Sequence, residues 1–233
     1  MNKPSKPAPR AAIKAVKDSA EDRAKDKQRQ ILDAAVRVFA RKGFHDARVS
    51  DIAKEAGVAY GLVYHYFTNK EEILNSIFQR NWKVVVKMME SVEEQQKGLK
   101  PRLFAIVDFM MNVYKLSPDT VDLLVLEFGR SSRLASAVRH PTMDRSWGVL
   151  QHIVETGQRE GEVRADADPR LLTTLFMGLV ETGLASFVTR FFQRDEDTLE
   201  QMKRAIVDTF VDGVAPRADT RGGRAESRAA HNS

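Results

Sequence analysis

Apolar positions along this chain recur with helical spacing nearly throughout, and no stretch alternates with period two for long. From about Asp26 to Lys42, the residues Ile31, Ala35, Val38 and Phe39 fall at i, i+4, i+7 and i+8, and Gly43 is placed to stop the helix. A short second helix is predicted in SDIAKEAG (50–57), with Ile52, Ala53 and Ala56 apolar and Gly57 closing it. The third is GVAYGLVYHYF (57–67). The fourth starts at NKEEIL, where Asn69 can cap and Glu71 and Glu72 favour the positive helix end, and it runs past Trp82 to about Gln96.

Gly98 and Pro101 then interrupt, and PRLFAIVDFMMNVY opens a helix with Pro at its first position. Ser117 and Pro118 start another through VDLLVLEFGR. After the break at His140 and Pro141, TMDRSWGVLQHIVETGQREG is a further helix ended by Gly161. Asp168 and Pro169 cap and launch a long apolar helix to about Phe192. In the last helix, about 196–214, Leu199, Met202, Ile206, Phe210 and Val214 share one stripe. The pattern predicts an all-α protein of about nine helices.

Composition adjusts this picture at the ends. Residues 1–23, rich in Pro, Ala and Lys, read as a disordered basic arm, and 215–233 as a disordered tail. Between them, 24–82 is expected to form one domain and 83–214 a second. Charge separates the same parts: 1–17 holds five Lys/Arg and no acid, 24–82 ten basic and seven acidic side chains, and 83–214 seventeen and twenty. A basic N-terminal third is a mild nucleic-acid footprint.

The absence of Cys excludes disulfides, thiolate chemistry and Cys-ligated zinc or iron–sulfur sites, and fits a reducing compartment. The N-terminus lacks the apolar core of a signal peptide, so the cytoplasm is expected. The run LLTTLFMGLVETGLASFV (171–188) contains Glu181, Thr173, Thr174, Gly178 and Gly183, which predicts a buried or interface helix and no membrane partner.

Chemistry is sparse. His45, His65, His140, His152 and His231 show no metal spacing, and no G-x-S-x-G, P-loop or G-x-G-x-x-G occurs. No enzymatic activity, metal or cofactor is expected.

Two short helices joined by a Gly turn make a helix-turn-helix, at about 50–67. With Ile52 and Ala53 inward, Gly57 in the turn, Val58 plugging it and Val63 and Phe67 packed, Tyr60, Gly61 and Tyr64 point away from the core. Leu62, His65 and Tyr66 lie on the flanks. Outward Tyr and His suit phosphate contact, and Gly61 allows close backbone approach. A helical adaptor that binds protein through the same aromatics is the alternative. Salt dependence separates the two, since DNA affinity falls steeply with salt.

The stretch ILDAAVRVFARKGFHDARVSDIAKEAGVAYGLVYHYFTNKEEIL (31–74) resembles the DNA-binding domain of the TetR family of transcriptional repressors. The landmarks are the I-L-x-A-A opening, F-x-x-x-G-F, D-I-A-x-x-A-G-V, Y-x-Y-F and the Lys that follows, about one-fifth of the chain. The resemblance implies a variable helical domain for ligand binding and dimerisation. It also implies that Ser50 contacts base or phosphate, Tyr60 and Leu62 base edges, Tyr64, His65 and Tyr66 the DNA backbone, and Lys70 a phosphate. Two positions depart from the pattern. Ala47 and Arg48 stand where Thr or Ser is common, and Arg48 offers a charge-assisted phosphate bond instead. Leu62 replaces a small hydroxyl residue and offers apolar contact only, as with a thymine methyl. The stretch LVLEFGRSSRL (124–134) is similar to the fatty-acid-responsive branch of the family, whose effectors are acyl-CoA thioesters, with Arg130 and Arg133 for the CoA phosphates.

A repressor of this kind needs two reading heads related by a two-fold axis. The small residues Gly178, Gly183, Ala185 and Ser186 point to the last two helices as a four-helix homodimer interface with Phe187, Met202, Ile206 and Phe210. The apolar, Met-rich set Phe104, Val107, Met110, Met111, Leu123, Leu126, Phe128, Trp147, Phe176 and Met177 is the candidate pocket for a small apolar effector. The expected function is a ligand-responsive repressor released from a palindromic operator in double-stranded DNA, with an activator of the same fold as the alternative.

Overall fold

The computed structural model describes the backbone of residues 9–130 and 141–216 and the side chains of residues 22–126 and 142–216. The described residues form nine helices and no strand: α1 (Pro9–Lys42), α2 (Val49–Ala56), α3 (Tyr60–Tyr66), α4 (Lys70–Gln95), α5 (Leu99–Leu116), α6 (Pro118–Arg130), α7 (Pro141–Arg159), α8 (Pro169–Val188) and α9 (Glu196–Val214). They divide into two compact units. The first takes the described residues up to Asn81 and α6 from Asp119; the second takes Trp82–Pro118 and the described residues from Pro141 onward.

In the first unit, α1, α2, α3 and the start of α4 surround Ile31, Ala35, Phe39, Ile52, Val63, Phe67, Ile73 and Ile77, all buried. Glu55 of α2 accepts from Arg37 at 2.8 Å and Arg41 at 2.9 Å, and Lys42 meets Asp51 at 2.8 Å, so ion pairs fasten α1 to α2. The paired guanidiniums, Arg37 first, hold the Glu55 carboxyl below its usual range.

The N-terminal arm differs from the sequence expectation. Residues 9–23 are helical, continuous with the packed half of α1. The composition that suggested disorder offers few apolar side chains to bury, Ile13 and Val16 besides Ala, but it is rich in Ala, Lys and Arg, which favour helix. Extending a helix that the core has already nucleated avoids the unfavourable first turn. Residues 1–8 and 217–233 lie outside the described residues.

The position of α6 is a second correction. Leu123, expected in an effector pocket, is buried in the first unit's core, and Leu124 packs against it. Leu126, also assigned to that pocket, is exposed and lines a cleft of about 330 Å³ with Phe39, Phe44, His45, Asp119 and Asp122. Helical spacing reports that a face is apolar but not which core receives it. The side chains of Phe128 and Arg130, and all of Arg133, lie outside those described.

In the second unit α5 packs on α7, α8 and α9, and α8 on α7 and α9. Val107, Met111, Phe176 and Met177 are buried there, while Phe104, Met110 and Trp147 are half-buried. Phe210 meets Phe176 edge-on at 5.1 Å, and Phe187 lies 5.9 Å from Tyr114. Lys203 is buried between Asp108, at 2.8 Å, and Glu200. Desolvation alone would lower its pKa, but the two carboxylates outweigh it and the net shift is upward.

The proposed dimer residues are corrected in part by this packing. Gly183, Phe187, Ile206 and Phe210 are buried inside the chain's own unit, and the missing side chain of Gly183 makes room for Ile206 and Met111. Gly178 faces open space, and Ser186 and Met202 line an open groove of about 560 Å³ between α8 and α9. Leu171 and Leu175 are exposed on α8, as are Phe191 and Phe192 beyond its end. The helix stops at Val188, before the expected Phe192, and Arg190 takes a left-handed φ of 59°. By length and hydropathy α8 could cross a membrane, but half of its apolar window is buried in the unit, as in a core helix.

Candidate nucleic-acid interface

The turn between α2 and α3 is built as its sequence requires. Gly57 adopts φ 62°, ψ 37°, and Val58 donates its N–H to the Ala53 carbonyl at 3.0 Å, closing the end of α2. Ala59 is extended and starts α3. Val63 and Phe67 are buried, pinning one side of α3 to the core.

The opposite side is open. Tyr60 and Tyr64 are 53% and 45% exposed, their hydroxyls hydrogen-bonded to each other at 3.0 Å. His65 is exposed and edge-on to Tyr66 at 5.2 Å; Tyr66 and Leu62 are half-buried, with Tyr66 packed against the core. A Cβ on Gly61 would meet nothing within 4 Å, so the surface there is free for close approach. At the start of α2, Arg48 and Ser50 are exposed, and Asp51 accepts the Arg48 backbone N–H at 3.1 Å. Lys42, then Arg48, holds the Asp51 carboxyl below its usual range.

Lys70 is placed differently from expectation. Its ammonium donates to the carbonyls of His45 at 2.7 Å, Phe44 at 2.9 Å and Ala47 at 3.3 Å, and lies 4.8 Å from the centre of the Phe44 ring. An ammonium has three protons, and all three are used on the turn between α1 and α2. Sequence reading missed this because carbonyl acceptors carry no residue signature.

The geometry is that of a helix-turn-helix with an exposed second helix. Residues 31–77 match the family described as "Bacterial regulatory proteins, tetR family". The helix-turn-helix-type transcriptional regulator TtgW of Pseudomonas putida is 35% identical, covering 31% of this chain and 68% of that protein. The chain belongs to the tetR family. It is a helix-turn-helix transcriptional regulator, and regulators of this family bind operator DNA as dimers.

The similarity to the fatty acid metabolism regulator protein of Bacillus subtilis (strain 168) reaches farther, at 28% identity over 81% of this chain and 95% of that protein. The crystal structure of the transcriptional regulator FadR from Bacillus subtilis in complex with stearoyl-CoA superposes with a TM-score of 0.72 at 27% identity, covering 79% and 98% of the two chains.

Proposed function

We propose that this tetR-family chain is a cytoplasmic repressor, a regulator rather than an enzyme, that holds a palindromic operator as a homodimer and leaves it when a long-chain acyl-CoA binds its second unit. The observation that carries the effector is the similarity to a fatty acid metabolism regulator across nearly that protein's whole length, together with the likeness to the stearoyl-CoA complex. Phe104, Val107, Met110, Met111, Trp147, Phe176 and Met177 supply apolar, adaptable lining for an acyl chain, because Met side chains re-pack at low cost. Release requires that the acyl-CoA favour a conformation in which the two heads no longer fit successive major grooves.

Arg48, Ser50, Tyr60, Gly61, Leu62, Tyr64 and His65 form the DNA surface, with Tyr66 bracing α3 and Lys70 bracing the turn before α2. The dimer forms on the exposed side of α8 and α9, through Leu171, Leu175, Gly178, Ser186 and Met202. The exposure of these apolar side chains beside the open groove supports that choice.

Native mass spectrometry of the freshly purified protein, combined with fluorescence anisotropy on an operator duplex, tests the proposal. A dimer mass and release by stearoyl-CoA, with free CoA inert, are expected. A monomer mass at micromolar concentration would remove the dimer, and retention on DNA with every acyl-CoA chain length would remove the effector.

A further inference from the structure

Tyr60 and Tyr64 stand one turn apart on α3, their ring centroids 5.0 Å apart and their planes at 70°. Both rings are about half exposed, and a 3.0 Å bond between their hydroxyls joins their outer ends. A phenol has one proton to donate. One hydroxyl therefore gives its proton to the other, and the pair keeps a single outward O–H. That remaining donor is polarised by the bond its oxygen accepts.

Docking geometry decides which tyrosine keeps it. A recognition helix enters the major groove with its N-terminal residues toward base edges, and the strand backbone flanks residues farther along. Tyr60 is the first residue of α3, and Tyr64 lies one turn on. A phosphate oxygen only accepts, so a phosphate contact needs a free proton on Tyr64. Tyr64 Oη must then be the acceptor within the pair.

We propose that Tyr60 is a positioning residue: its hydroxyl donates to Tyr64 Oη and aims the Tyr64 O–H at a DNA phosphate oxygen, while Tyr60 meets base edges through ring carbons alone. This rests on α3 being the recognition helix. It means that the two tyrosines act as one polar contact per head, and that the Tyr60 hydroxyl reads no base.

The test uses the full-length protein and a duplex enriched by it from a random-sequence pool, with Tyr60→Phe, Tyr64→Phe and the double variant. Tyr60→Phe is expected to weaken binding about 3- to 10-fold per head, the range of one neutral hydrogen bond, and so about 10- to 100-fold for the two heads of a dimer. Its unfolding midpoint, preferred duplex and salt slope should match the wild type, because no charge is lost. Tyr64→Phe should weaken binding at least as much, and the double variant should match Tyr64→Phe. Losses that multiply in the double variant would make the tyrosines independent donors and overturn the proposal. So would wild-type affinity in Tyr60→Phe, or relaxed preference at one base pair. Failure of the wild type to enrich any duplex would strike the reading of α3 itself and the proposal with it.

Discussion

Replacing Lys70 by Met keeps the length of the side chain and removes its ammonium. In the native protein that ammonium holds the carbonyls of Phe44, His45 and Ala47, at 2.7–3.3 Å, and faces the Phe44 ring. A hydrogen bond involving a charged group contributes about 1.5–3 kcal/mol when well desolvated. Here Lys70 is half-buried and the His45 acceptor is exposed, so water replaces part of each bond. Phe44 and Ala47 are buried, and the net loss should be about 2 kcal/mol. Ala47 precedes Arg48, whose backbone N–H completes the start of α2, so the loss should appear first as local opening of residues 44–48. Hydrogen exchange at these amides should speed up about 30-fold, which is that free energy as a rate ratio. DNA affinity should fall while the salt slope stays the same. Unchanged exchange together with a slope reduced by about 0.9 per subunit would refute the reasoning, because that is the signature of a lost phosphate contact.

Glu55→Gln should flatten the acid limb of the first unit's stability. The folded-state pKa of Glu55 is depressed, so its contribution is present above the ordinary value of 4.5 and is lost as pH falls below it. Urea unfolding of wild type and variant between about pH 3 and pH 6 checks this, and parallel curves would refute it. On α8, two glycines should respond in opposite ways. A Cβ at Gly183 would lie 2.8 Å from Ile206 Cδ1 and 3.4 Å from Met111 Cε, so Gly183→Val should destabilise the chain by about 1–3 kcal/mol. At Gly178 nothing lies within 4 Å, so Gly178→Ala should stabilise the monomer by about 0.5–1 kcal/mol while weakening the dimer, read by thermal unfolding and sedimentation. An unweakened dimer would move the interface off this part of α8.

The features legible in the residues alone are local. The turn at Gly57, the packed Val63 and Phe67, the outward Tyr60 and Tyr64 and the Asn69 cap all follow from residue type and from spacings of a few positions. Helix geometry converts such spacing directly into faces. Tertiary structure alone decided which partner each face meets. Leu123 reads as one more pocket leucine, yet it fills the core beneath the helix-turn-helix. Gly183, Phe187, Ile206 and Phe210 read as an interface stripe, yet they pack within one chain, leaving Leu171 and Leu175 on the outside. Lys70 reads as a phosphate ligand until three carbonyls from 23 to 26 residues earlier in the chain are seen to surround it. The physical reason is common to all three. An apolar face or a charge specifies what kind of surroundings it needs, and only the folded chain decides which distant segment supplies them.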